Sequence, residues 1–362
     1  MKTFRTIILL LTALFIYSCD VMHDVERNDG LPLTQSSGRM LVLSEGLFNM
    51  NNSTLAYYNF DTKEFNTNYF QTKNKRGLGD TANDMILYGS KLYIAVDISS
   101  QIEVVDVNTG ISLKQIPLFN DKNSSRQPRY LESSNGKVFV SCFDGTLVRI
   151  DTAKMVVDGT VSCGRNPEGL CIAAGKIYVA NSGGLDFPKY DNTVSVIDMT
   201  TFKELKKITV GINPYIIHSD SQGDVYVSSR GNYGENPYRF QKIDTYIDEV
   251  VQDFEGLNVL NFTIYNDKAY LYNYDFTTNK NWVKIFDCLS EKVVNDNFIS
   301  DDTVLDTPYS IQVNPFDGDV YITNSPGYTL WGDVLCFDKT GKLKFRINEI
   351  GLNPNKIVFL NE

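Results

Sequence analysis

Aromatic side chains are concentrated in four segments that are also rich in glycine and asparagine. These segments span residues 183–191, 230–238, 274–282 and 326–332. Aromatic rings offer broad, rigid contact surfaces, and asparagine and glycine supply adaptable hydrogen bonding beside them. A purely structural protein needs only tight turns, because a long loop costs ordering entropy. The pattern therefore predicts a ligand-binding surface, with rings packed onto strand edges as the alternative. The predicted contacts are Phe187, Tyr190, Tyr233, Tyr274, Phe276, Tyr328 and Trp331.

Arginine and asparagine residues form a second set of candidate binding groups, mostly in connections between β-rich runs. A guanidinium presents a fork of donors that suits anionic or amide-bearing ligands. The same arginines are equally suited to salt bridges between neighbouring structural units, so both interpretations stay open. The set consists of Arg76, Arg126, Arg129, Arg165, Asn166, Asn181 and Arg230.

Residues typical of catalytic and metal sites are scarce. The only histidines are His23 and His218, and no C-x-x-C motif occurs, which argues against zinc sites and histidine-dependent triads. We interpret His218 as a core histidine. No glycine-rich phosphate loop joins a strand to a helix, and the acidic run at 295–302 lacks the order of an EF-hand. We expect a protein that is not an enzyme and has no metal or cofactor, although carboxylate chemistry stays open.

Charge and cysteine content narrow the class of protein further. The net charge is −10 and no basic run occurs, so nucleic acid is not an expected partner. We interpret the cysteines beyond residue 19 as buried free thiols that behave as small hydrophobes. A single disulfide remains allowed in an exported protein. These cysteines are Cys142, Cys163, Cys171, Cys288 and Cys336.

The elements that must position the candidate residues come from an internal repeat. Residues 165–214 contain four short β-rich runs, bounded by the residue types that favour turns. Two markers recur along the chain at a period of about 40–50 residues. The first is the residue equivalent to Tyr178: Leu41, Tyr93, Phe139, Tyr178, Tyr226, Tyr270 and Tyr321. The second is a turn-capping side chain after the third run: Asn59, Asp106, Asp151, Asp198, Asp244, Asp287 and Asp338.

Seven units of four strands predict an all-β fold, a seven-bladed β-propeller over residues 38–362. The first unit lacks an opening strand before Arg39, and the chain ends with one strand at 355–360. We expect this C-terminal strand to close the first blade. Loops after the second and fourth strands of each blade emerge on one face around the central channel, so the aromatic and arginine segments should meet there.

The N-terminus has the features of an export signal. Lys2 and Arg5 precede an apolar run that ends before Cys19, which is too short to span a membrane comfortably. The sequence I-Y-S-C resembles a bacterial lipobox, with Cys19 as the lipidated residue. We expect a signal peptide at 1–18 and a flexible tether at 19–37.

The runs G-K-I-Y-V-A-N-S-G, N-T-V-S-V-I-D and V-G-I-N-P resemble the YVTN-type, YncE-like propeller repeat. With these runs and the lipobox together, the chain resembles Bacteroidota surface lipoproteins that capture vitamin B12. This resemblance implies a lipid-anchored protein of the outer membrane, exposed at the cell surface. It also implies a corrinoid ligand and a TonB-dependent transporter as partner. The alternative is a glycan-binding or partner-docking lipoprotein of a polysaccharide-utilisation system, and a lyase or lactonase is less favoured.

Overall fold

The chain folds as a ring of seven four-stranded antiparallel sheets around a central channel. The computed structural model describes residues 38–361. The predicted signal peptide, the lipidation at Cys19 and the tether lie outside the described residues. The predicted all-β, seven-bladed β-propeller is confirmed.

Each blade runs from an inner strand at the channel to an outer strand at the surface. In blades two to seven, the four strands follow one another along the chain, as short antiparallel connections allow. Blade one consists, from the inside, of β28 (Pro354–Leu360), β1 (Arg39–Ser44), β2 (Thr54–Asn59) and β3 (Phe65–Asn66). A short helix, α1 (Tyr69–Asn74), leads to blade two.

The remaining strands follow the same inside-to-outside order. Blade two has β4 (Ala82–Tyr88), β5 (Lys91–Val96), β6 (Gln101–Asp106) and β7 (Ser112–Pro117), and blade three has β8 (Pro128–Ser134), β9 (Lys137–Cys142), β10 (Thr146–Asp151) and β11 (Val156–Ser162). Blade four has β12 (Pro167–Ala173), β13 (Lys176–Asn181), β14 (Thr193–Asp198) and β15 (Lys203–Thr209), and blade five has β16 (Pro214–Ser219), β17 (Val225–Ser229), β18 (Arg239–Asp244) and β19 (Glu249–Asp253). Blade six has β20 (Asn261–Tyr265), β21 (Lys268–Asp275), β22 (Lys280–Asp287) and β23 (Lys292–Asn295). Blade seven has β24 (Pro308–Val313), β25 (Val320–Asn324), a 3₁₀ turn (Pro326–Tyr328), β26 (Trp331–Phe337) and β27 (Leu343–Leu352).

Hydrophobic side chains fill the spaces between neighbouring blades. The described residues form seven buried clusters, one at each interface between blades. The aromatic ladder lies in the second strands, where Tyr93, Tyr178 and Tyr226 are fully buried. Because each cluster draws on two blades, a blade completes its core only beside its neighbours.

The aspartate ladder caps the turn after each third strand, as predicted. The Asp106 carboxylate accepts the backbone N–H of Thr109 at 2.9 Å, and the Asp198 carboxylate accepts that of Thr201 at 2.7 Å. The Asn59 side chain accepts backbone N–H groups in the first blade. These hydrogen bonds hold the pKa of Asp198 below its ordinary value. The ladder is therefore structural.

The C-terminal strand closes the ring, which confirms the second topological prediction. Strand β28 pairs antiparallel with β1, and Ile357 lies opposite Val42. The Glu45 backbone N–H donates to the Asn353 carbonyl at 3.0 Å. Hydrogen bonds and packing thus join the first blade to the chain end without a covalent link.

The cysteines are unpaired thiols in the described part of the chain, as interpreted from the sequence. Cys142, Cys171, Cys288 and Cys336 are buried, and Cys163 is partly exposed. Between residues 38 and 361, no helix has the length and apolar character needed to cross a membrane.

Candidate functional site

The central channel contains a cavity of about 450 Å³. Inner strands of the blades form its wall, and loops between second and third strands of blades one, five, six and seven border its mouth. Pockets that enclose drug-sized ligands measure roughly 300–1,000 Å³. The cavity is therefore large enough for a small organic molecule.

A repeated backbone irregularity directs side chains into this cavity. In six blades the pairing of the inner strand shifts register near its first residue, for example after Pro128, Pro214 and Pro308. Such a β-bulge re-aims the side chains that follow. Proline suits the first position because it donates no ladder hydrogen bond. The residues placed immediately after these positions are Asn83, Arg129, Glu168, Tyr215, Tyr309 and Asn355, and all of them except Glu168 line the cavity.

Arg129 forms the charged wall of the cavity with carboxylates from two other blades. Its guanidinium lies 2.8 Å from Asp97 and 3.0 Å from Glu168. It also lies over the Phe143 ring, 4.3 Å from the centroid. Burial lowers the pKa of Arg129, but the carboxylates of Glu168 and Asp97 outweigh this effect. The pKa is therefore held well above its ordinary value. This group links blades two, three and four around a permanent charge.

Aromatic residues of blades five to seven form the opposite wall. Tyr215 of blade five accepts the hydroxyl of Tyr130, which reaches across from blade three, at 2.7 Å. The Phe276 and Tyr328 rings stack with centroids 6.4 Å apart, and Tyr309 meets Tyr328 edge-on at 5.9 Å. A ligand at the mouth would therefore contact charged groups on one side and ring faces on the other.

Further titratable groups line the cavity beyond the bulges, at later positions along the inner strands. Lys356 pairs with Asp84 at 3.0 Å. Burial raises the pKa of Glu132 to about 7, against the effect of Lys356. His218 also borders the cavity, and its ring is mostly buried and packed as our interpretation of a core histidine requires. Its ring lies edge-on to Phe262 at 5.1 Å, and burial with nearby Lys356 lowers its pKa to about 4.

Five of the predicted contact residues line the cavity together: Arg129, Arg230, Tyr233, Phe276 and Tyr328. Phe187 and Tyr190 extend this aromatic surface outward along the loop of blade four. Their rings lie 6.0 Å apart, and Tyr190 lies 6.2 Å from Tyr233. Phe187 is 71% exposed. The aromatic loops thus lead from the outer face to the channel mouth.

Three predicted arginine contacts have structural partners instead. Arg76 binds Glu103 at 2.9 Å, and Arg126 binds Asp144 at 2.8 Å. Arg165 pairs with Asp186 and donates to the Lys189 carbonyl, so it clamps the loop of its own blade. None of the three lines the cavity. These arginines form salt bridges, but with carboxylates of the blade that each one leads into and not between neighbouring blades as the alternative predicted.

Three further predicted contacts that lie outside the cavity are held by the protein itself, and a fourth, Trp331, is exposed away from it. Asn166 donates to the Phe143 carbonyl at 3.0 Å, and fully buried Asn181 donates to two hydroxyls within blade four. Tyr274 is buried and donates to Asn279 at 2.8 Å. Trp331 is exposed at the start of β26 but lies away from the cavity. We exclude these four residues from the candidate site.

Sequence reasoning missed several cavity residues, among them Glu45, Tyr130, Tyr215 and Lys356. A usable signal was present for Tyr215 alone among these four, because the residue after the first position of each inner strand recurs with the repeat. Its chemical type varies from blade to blade, which hid the shared position. Within the described residues, no group of three or more His, Cys, Asp or Glu side chains has an arrangement suited to a metal ion.

Solved structures with the same fold come from proteins of differing descriptions. A quinoprotein alcohol dehydrogenase-like protein from Bacteroides thetaiotaomicron is 17% identical, with a TM-score of 0.62 over 90% of this chain and 78% of that chain. Hydrazine synthase from Kuenenia stuttgartiensis is also 17% identical, with a TM-score of 0.57 over 69% of this chain and 74% of that chain. At these identities the likeness shows the fold alone. No curated protein matches the chain.

The family comparison covers nearly the whole propeller. The family model described as a domain of unknown function, DUF5074, matches residues 38–359. This range runs from the first described residue to the closing strand β28. The chain therefore belongs to the DUF5074 family.

Proposed function

We propose that the protein captures a small ligand at the mouth of its channel, as a lipid-anchored protein of the cell surface. The observation that supports this most is the aromatic path from exposed Phe187 through Tyr190 and Tyr233 to the cavity. An apolar path that ends in a partly polar pocket matches the usual composition of ligand sites. A corrinoid is the first candidate ligand, with delivery to an outer-membrane TonB-dependent transporter as the purpose.

The size of the cavity defines how a corrinoid would bind. A corrinoid is larger than the cavity of about 450 Å³, so only one edge of it would enter. Its flat face would lie against the rings of Tyr233 and Phe276, and its amides would meet the charged wall near Arg129.

A glycan is the second candidate ligand, and a buried acceptor atom without a partner favours it. The Asn355 Oδ1 atom is buried and lacks a hydrogen-bond partner in the described protein. An unpaired buried acceptor is suited to a ligand hydroxyl. A sugar ring would enter the cavity whole and stack on Phe276 or Tyr328.

Calorimetry with cyanocobalamin tests the first candidate. We expect binding by the purified protein, weakened about tenfold in Phe276→Ala and Tyr328→Ala because each loses a stacking face. Trp331→Ala is the matched control, since Trp331 is exposed and lies outside the cavity. No heat at micromolar protein would reject the corrinoid. Retarded migration in a polysaccharide affinity gel would then favour the glycan.

The anchor has a separate test. Cells labelled with palmitate should incorporate label into the protein, and Cys19→Ala should abolish the incorporation. Protease treatment of intact cells should digest the labelled protein if it is exposed at the surface. An unlabelled wild-type protein would contradict the proposed anchor without affecting the ligand proposal.

A further inference from the structure

The cations that line the cavity differ in whether the protein neutralises them. Arg129 holds two carboxylates, and Lys356 pairs with Asp84. Arg230 forms no ion pair with any carboxylate of the described chain. Within residues 38–361, Arg230 is therefore the cavity cation that no carboxylate neutralises.

The position of this guanidinium is well defined. The Arg230 backbone N–H donates to the Asn213 carbonyl at 2.9 Å, which anchors the residue at the end of β17. Its guanidinium carbon lies 3.2 Å from the centroid of the Tyr215 ring. Tyr215 in turn accepts the Tyr130 hydroxyl. The ring supports the guanidinium in place, and a supported guanidinium loses less entropy when it binds an acceptor.

One atom of the group lacks an acceptor. The Nε of Arg230 is buried and has no hydrogen-bond partner among the described residues. A donor withdrawn from water without a partner is unfavourable. Glu168 attracts the Arg230 cation electrostatically, but its carboxylate is already bonded to Arg129. An acceptor from outside the described residues would satisfy this donor.

We propose that Arg230 binds an oxyanion of the captured ligand, a carboxylate or a phosphate group. The inference rests on the proposed capture role of the channel mouth and names its ligand class. Forked guanidinium donors match the two oxygens of such a group. Tyr233 and Phe276 line the same cavity, so the anion would be attached to an apolar or planar body that contacts these rings.

Small aromatic probes test this assignment without the natural ligand. The purified protein is titrated with benzoate, phenyl phosphate and uncharged benzamide, followed by nuclear magnetic resonance at millimolar probe. We expect at least one charged probe to bind about tenfold more tightly than benzamide, as a charge-assisted hydrogen bond provides. Arg230→Gln should remove this preference. Arg165→Gln should preserve it, because Asp186 already neutralises Arg165.

The two charged probes distinguish the sources of the anion. Preference for phenyl phosphate indicates a phosphate-bearing ligand, and preference for benzoate indicates an acidic sugar or another carboxylate. If Arg230→Gln does not fold, Arg230→Lys keeps the charge without the fork and should weaken the preference several-fold. Equal binding of benzamide, preserved preference in Arg230→Gln, or no binding of any probe would overturn the proposal. Failure of cyanocobalamin alone would overturn only the corrinoid assignment.

Discussion

Tyr309 donates its hydroxyl to the Glu45 carboxylate across 2.7 Å, and this bond joins blade seven to blade one at the channel mouth. Asn355 donates to the other carboxylate oxygen at 3.1 Å. Burial raises the pKa of Glu45 despite both hydrogen bonds. The ring closure and the candidate site therefore share a buried carboxylate.

Removal of this hydroxyl should weaken the closure. In Tyr309→Phe the buried Glu45 oxygen loses its donor, so the free energy of unfolding should fall by about 1–3 kcal/mol. Urea denaturation at neutral pH measures the change. Tyr246→Phe is the control, because Tyr246 is 94% exposed and its change should be negligible. Equal stability of the two variants would contradict a structural role for the bond.

Loss of the Arg129 cation should destabilise the protein strongly. Arg129→Met leaves Asp97 and Glu168 buried without their counterion, which should cost about 3–5 kcal/mol in urea denaturation. The loss should shrink in acid, since protonation neutralises the stranded carboxyls. Lys207→Met breaks a more exposed pair with Glu204 and should cost less than about 1 kcal/mol. A pH-independent loss in Arg129→Met would argue against the electrostatic cause.

The closing strand β28 should contribute to stability through its buried side chains. Ile357 is buried between blades seven and one, and Ile357→Ala should lower the free energy of unfolding by about 2–5 kcal/mol. Leu205→Ala provides a control on exposed strand β15. If both substitutions lower the free energy of unfolding by the same small amount, the C-terminal strand does not stabilise the ring closure.

Glu132 should make stability depend on pH near neutrality. Its pKa is raised from the ordinary value of 4.5 to about 7, so the folded state favours the neutral acid. This contribution is complete below pH 4.5 and is lost as pH rises through about 7. Above that range Glu132→Gln should be more stable than the wild type by up to about 3 kcal/mol.

Chemical denaturation at pH 5 and pH 8.5 tests this prediction. The stability difference between Glu132→Gln and the wild type should widen at the higher pH. Exposed Glu249 supplies the control through Glu249→Gln, which should show no such widening. A constant difference for Glu132→Gln would mean that the carboxyl is already ionised at pH 5.

The fold was predictable from local patterns, and the site was predictable only in part. Tyr178 and Asp198 mark one blade by strand alternation and turn chemistry within a short stretch, so their counterparts revealed the whole ring. Loop composition also indicated Tyr233, Phe276 and Tyr328 correctly as cavity neighbours. Asn181 failed as a predicted contact because its partners are hydroxyls inside its own blade.

The sequence by itself determined the number of blades, the closing strand and the face that carries the aromatic loops. The repeated units and their loops depend on residues near one another in the chain, whose turn and strand preferences act locally. The closing strand followed from the count of strands, since the first unit lacks one and the C-terminus supplies one. Only the tertiary structure decided which arginines are free to bind. Arg129 meets carboxylates from two other blades, whereas Arg230 meets a tyrosine ring and no carboxylate of the described chain. Such pairing depends on how distant blades converge on the channel, since charge neutralisation acts through space and not along the sequence.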